Sequence, residues 1–159
     1  MKISSFKSAI SALFLSLVLV FAAVTAGMSA DVKFPRGQVR IVTPSGASHI
    51  FAVEIAATME ARTQGLMNRT DLGPNQGMFF DFGQTRLVTM WMRNTPLPLD
   101  MIFITEDGTV THIAENTTPF SDAIIESRGP VRFVLEVNAG RSRALGISPG
   151  AKITVAEAK

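Results

Sequence analysis

Apolar and polar residues alternate in short runs along most of the chain, and turn residues bound the runs. QVRIVT (38–43) and HIFAVEI (49–55) are rich in β-branched residues and flank PSGAS, so they predict a β-hairpin. The alternation breaks at ATMEARTQGLM, a stretch of good helix formers with Thr58 placed to cap and Gly65 to stop. It predicts a short helix over 58–66 with Met59, Arg62 and Leu66 on one face. After the loop NRTDLGPNQG, MFFDF and LVTMWMR predict strands on either side of a turn at GQT. LDMIFIT and VTHIAEN flank EDG, a strong hairpin signal through Asp107-Gly108. AIIES and RFVLEV are separated by the break Gly129-Pro130. NAGRSRALG predicts a helical turn near 139–145, capped by Asn138 and stopped at Gly146, and KITVAE a final strand. Many short strands and two short helices predict a mainly β protein, a compact sandwich or partly closed barrel.

The first thirty residues stand outside this pattern. Lys2 and Lys7 precede the apolar run ALFLSLVLVFAAV, small residues follow, and the layout is that of a signal peptide over 1–30 cleaved after Ala26 or Ala30. The run is shorter than the roughly 20 apolar residues a bilayer demands, so no permanent membrane span is expected after its removal. Residues 31–159 then form a single domain, periplasmic or secreted by a bacterium. The chain has no cysteine, which excludes a lipid-modified cysteine and a disulfide framework and leaves stability to a packed core. Composition gives a net charge of +2, but Lys2 and Lys7 account for it, and without them 13 basic residues face 13 acidic ones. That balance provides no field to steer a polyanion, and nucleic acid is not an expected partner.

Chemistry gathers in WMRNTPLPLDMIF, residues 91–103. In a strand over 87–93, Val88, Met90 and Met92 face the core while Leu87, Thr89, Trp91 and Arg93 face the other way. Trp91 beside Arg93 suits the stacking of a flat ligand or sugar ring next to a charged donor. A plainer arrangement has Trp91 in a second core layer and Arg93 pairing with an acid at its edge. Pro96 and Pro98 make NTPLP a rigid crossing between strands. Asp100 and Glu136 are acids inside apolar strands, costly to bury unless paired, and Arg93 is the nearest candidate partner for Asp100. The expectation is one polar, concave patch in which Arg93, Asn94, Asp100 and Glu136 converge near Trp91.

RTQGLMNRTDL, GMFFDF, WMRNTPLPLDMIF, LEVNAG and GISPGAKI, in this order and spacing, resemble the domain of unknown function 192 family over residues 50–156. The resemblance rests on Arg62, Gly65, Leu66, Met67 and Arg69; on Gly77, Met78 and Phe80; and on Trp91, Met92, Asn94, Thr95, Pro98, Leu99 and Asp100. It ends with Glu136, Asn138, Gly140, Gly146 and Gly150, while Arg93 stands where the family often has lysine. It implies a compact β-rich fold often found on exported bacterial proteins, implies no established activity, and adds Arg62 to the candidate set.

The leading functional expectation is a non-catalytic binding module for a polar ligand, a sugar or cell-envelope fragment, at Trp91, Arg93, Asn94, Asp100, Glu136 and Arg62. One alternative is a partner-binding or structural role in the envelope. Another is a glycoside-type hydrolase with Asp100 and Glu136 as the carboxylate pair. A third is copper binding through His49, His112 and the methionines 67, 78, 90 and 92, although methionine alternating with valine is usually core. No cofactor is expected: there is no phosphate loop and no nucleophile elbow.

Overall fold

The computed structural model describes residues 32–157; the expected signal segment lies outside them. The elements in chain order are β1 (Arg36–Val42), β2 (Ser48–Ala56), α1 (Met59–Gln64), β3 (Gln76–Arg86), β4 (Thr89–Met90) and β5 (Leu99–Ile104). They continue with β6 (Val110–Ala114), β7 (Ile125–Glu126), β8 (Val131–Asn138), α2 (Arg141–Ala144) and β9 (Lys152–Glu157). Seven strands form one curled sheet, a half-barrel, in the order β6-β5-β8-β3-β2-β1-β9, and β4 pairs with β7 in a small second sheet. The protein is thus mainly β with two short helices, as the alternation predicts. No helix among the described residues is long and apolar enough to cross a membrane.

Both predicted hairpins are present: β1 pairs antiparallel with β2, and β5 with β6 across a turn in which Gly108 has φ 80°. β2 and β3 are parallel, which requires a crossover, and α1 lies within it. The Oγ of Thr58 accepts from the Ala61 N–H at 3.1 Å, and Gly65 ends the helix by donating to the Ala61 carbonyl at 2.9 Å.

The curl buries both faces of its central strands, and every residue of β5 is inaccessible. All seven strands contribute to the concave core, among them Ile41, Phe51, Phe79, Ile102, Leu135 and Ile153. The opposite face of β3, β8 and β5 carries Met78, Phe80, Met101, Phe103 and Val134, and Ala61, Leu66, Val88 and Met92 cover it.

Three expectations change. GQT is not a hairpin turn: β3 runs through it, Gly83 adopts φ 74°, and the register with β8 shifts between Asp81 and Arg86. A glycine in a strand marks an irregularity in pairing as readily as a turn, and here five steps along β3 from Asp81 to Arg86 oppose two along β8 from Phe133 to Val131. The expected strand over 87–93 shrinks to β4, yet its facing holds, with Val88 and Met92 buried and Leu87, Thr89, Trp91 and Arg93 exposed. The second helix is shorter than expected, and Gly140 at φ 77°, not Asn138, occupies its cap position. The Asn138 amide instead donates to the carbonyls of Leu72 and Gly73 at 2.9 and 3.1 Å, tying β8 to the crossover loop.

Candidate functional site

A cleft of about 350 Å³ opens between α1, the outer end of β3 and the segment 89–95, on the covered face of the sheet. α1 and the turn after it contribute Arg62 and Met67, β3 contributes Phe80, Phe82 and Arg86, and Met90, Trp91 and Thr95 close the other side. Glu136 of β8 is also part of the lining. Two glycines serve this arrangement. Gly65 ends the helix at φ 46°, a left-handed conformation that favours glycine. Gly77 lets β3 lie against β8, since a Cβ there would be 2.5 Å from the Glu136 carbonyl oxygen.

Glu136 is 4% exposed and sits in register between Met78 of β3 and Met101 of β5. Among the described residues no group hydrogen-bonds its carboxyl, and burial pushes its pKa up to about 8. At neutral pH it is therefore a neutral acid, able to donate a hydrogen bond as well as accept one. Trp91 is 39% exposed. The Arg93 guanidinium lies 5.1 Å from its ring and is held by Asp122 at 2.7 Å, so the indole is braced from the loop 117–124. Arg62 donates to the backbone carbonyls of Ala57 and, at 2.8 Å, of Asp81, and its guanidinium stands 5.5 Å from the Phe82 ring. Arg86 approaches the same ring to 5.0 Å.

The expected patch assembles only in part. Trp91, Arg62 and Glu136 line one cleft, but Arg93 pairs with Asp122 and with neither Asp100 nor Glu136. Asn94, at φ 53°, braces the wall: its carbonyl accepts from the Asn68 N–H at 2.8 Å and its amide lies 4.0 Å from the Met67 sulfur. Asp100 is fully buried on the other face of the sheet, for it is in register with Val137 of the concave core while Glu136 is in register with Met101 of the outer one. Its carboxyl accepts from the backbone N–H groups of Asn116, Gly140 and Ser142 at 2.9, 3.0 and 2.9 Å. Asp100 and Glu136 therefore cannot flank one scissile bond, and the carboxylate-pair reading is withdrawn.

The copper reading loses its histidines. His49 hydrogen-bonds the Leu145 carbonyl at 3.1 Å, and His112 stacks on Phe103 with ring centroids 5.6 Å apart. Met78 and Met92 are core, while Met67 and Met90 line the cleft. Among the described residues no cluster of three or more histidine or acidic side chains is placed to hold a metal ion. Phe82, Arg86 and Thr95 were not singled out from the sequence as site residues. The one local hint for the first two was Gly83 between them, where the irregular pairing resets which residues of FDFGQTR share a face.

The model of the DUF192 family, described as an uncharacterised ACR, matches residues 40–155. No curated protein matches the chain. Among solved structures, the chain is similar to a protein from Sinorhizobium meliloti 1021 provisionally described as a transcription regulator. It shares 51% identity with that protein at a TM-score of 0.77, covering 79% of this chain and 97% of that one. It is also similar to a protein of unknown function from Novosphingobium aromaticivorans DSM 12444, at 41% identity and TM-score 0.71, over 74% of this chain and 83% of that one. With a family match across most of its length and two such relatives, this chain belongs to the DUF192 family.

Proposed function

We propose that this protein is an exported, non-catalytic binding module whose cleft at Trp91, Arg62 and Glu136 takes a polar ligand such as a sugar or cell-envelope fragment. The observation that carries the reading is the Glu136 carboxyl, without a hydrogen-bond partner among the described residues, in the lining of a cleft that an exposed tryptophan walls. A carboxyl that lines a concave site and has no protein partner is a candidate ligand contact. The volume fits a small molecule, since such sites start at about 300 Å³. Catalysis by a carboxylate pair lacks its second member, because Asp100 lies on the opposite face of the sheet. Regulation of transcription, the description given to the S. meliloti relative, draws no support from this chain's balanced charge once Lys2 and Lys7 are set aside.

Trp91 is the chain's one tryptophan and lines the cleft, so its fluorescence is a probe of that site. Titration with soluble envelope saccharides is expected to shift or quench that emission, and Trp91→Phe to weaken binding measured calorimetrically by about 1 kcal/mol. Heats of binding unaffected by Trp91→Phe would move the site elsewhere. Export follows from Lys2, Lys7 and the apolar run, and N-terminal sequencing of the secreted chain is expected to begin at Gly27 or Asp31. Recovery of the intact chain in the membrane would refute it.

A second reading, partner binding, has one observation in its favour. Leu87, Phe120 and Ile124 are between 57% and 67% exposed. They flank Trp91 in the fold, since the Phe120 N–H bonds the Thr95 carbonyl and Ile125 pairs with Met90. A partner seated there would shield Trp91 without any small ligand.

A further inference from the structure

Resting on the binding-module reading, we infer that the cleft selects ligands bearing an oxyanion, a carboxylate or a phosphate, recognised by Arg62 and Arg86 beside Glu136. Arg69, Arg93, Arg132 and Arg143 are each matched to an acid. The two arginines of the cleft are not: among the described residues neither makes an ion pair. Both guanidinia gather at the ring of Phe82, so their separation cannot exceed the sum of the two ring distances, 5.5 and 5.0 Å. Arg62 is oriented by its bonds to the Ala57 and Asp81 carbonyls, which engage one terminal nitrogen and leave the rest of the fork free. Arg86 makes no side-chain hydrogen bond among the described residues.

Two positive charges held in no salt bridge, with only the exposed Glu60 as a weak electrostatic neighbour of Arg62, attract an anion in a partly enclosed site, and a guanidinium fork matches the geometry of a carboxylate or phosphate. The one acid in the lining does not cancel them. Glu136 is 4% exposed and burial keeps it protonated at neutral pH, so it adds an O–H donor and no negative charge. Trp91, 39% exposed, supplies flat apolar surface for a ring on the same ligand. Arg86 is thereby assigned as a binding residue, outside the motifs that carry the family resemblance.

The test uses the mature protein and the emission of Trp91. The probes are matched rings: glucose, glucuronate, glucose 6-phosphate and glucosamine, with phenylacetate and phenethylamine as apolar-ring counterparts. The anionic member of each set is expected to bind at least about tenfold more tightly than its neutral or amine counterpart, the scale of one charged hydrogen bond. Whether glucuronate or glucose 6-phosphate leads separates carboxylate from phosphate. Arg86→Gln is expected to abolish the preference while leaving circular dichroism unchanged, since Arg86 has no polar protein partner to lose. Arg62→Lys, which keeps a charge but not the fork, should lower it. Equal affinity for charged and neutral rings, insensitive to Arg86→Gln, would overturn the oxyanion inference and leave the cleft as a binding site. No response of Trp91 to any probe would overturn both.

Discussion

A carboxyl group survives burial either by giving up its charge or by collecting donors, and this protein contains one residue of each kind. Glu136 has no donor and is pushed up to about 8 from an ordinary value of 4.5. Between those values the folded protein holds a proton that the unfolded chain releases, so each rise in pH favours unfolding. The cost builds from about pH 4.5, is complete near pH 8 and then levels off. Glu136→Gln removes the titrating group. Urea unfolding of the parent minus the variant should therefore fall by up to about 1.4 kcal/mol per pH unit across that window, with the variant the more stable above it. Parallel pH profiles would show that Glu136 ionises freely in the folded state. At this scale the sequence was half legible. It pointed to Glu136 as an acid in an apolar strand. It could not show that Arg93 would turn to Asp122, an exposed acid 29 residues further on in a loop with no periodicity.

Among the elements, α2 shows most clearly how a distant residue can complete a local structure. Its cap position holds Gly140, which has no side chain to satisfy the first N–H groups of the helix. Asp100 does so from β5, accepting from Gly140 and Ser142, and it fastens the Asn116 turn with the same carboxyl. Asp100→Asn replaces one acceptor oxygen by an NH₂ facing a buried N–H. Denaturant unfolding should show a loss of about 2–4 kcal/mol, the scale of a buried donor left unsatisfied beside a charged acceptor lost. A loss below 1 kcal/mol would mean that water replaces the carboxyl. The partners of Asp100 lie 16, 40 and 42 residues away, beyond any local pattern, which is why a binding role was assigned to it from sequence. α1 was legible because its cap and its stop lie within one stretch, although the residue it buries is Ala61 and Met59 is exposed. β3 was misread at GQT because a single glycine signals a turn and an irregularity in pairing alike, and pairing with β8 decides between them.

For the molecule as a whole, alternation revealed how many strands there would be but not their order. β3 lies between β2 and β8, a parallel neighbour and an antiparallel one from opposite halves of the described chain. The half-barrel is drawn together at one corner by the bridge from Thr109 to Lys152. There a Cβ on Gly108 would stand 2.3 Å from the Ile153 carbonyl oxygen, so the glycine that makes the hairpin turn also admits the last strand. That last strand has a consequence for how the molecule is made. β1 pairs with its sequence neighbour β2, a local contact, but its other edge pairs with β9, Gly37 opposite Glu157. The entropy of closing so long a loop is met late, as in other folds of high contact order. Until β9 has docked, the folding chain presents β1 as an open strand edge, a template for another copy of itself.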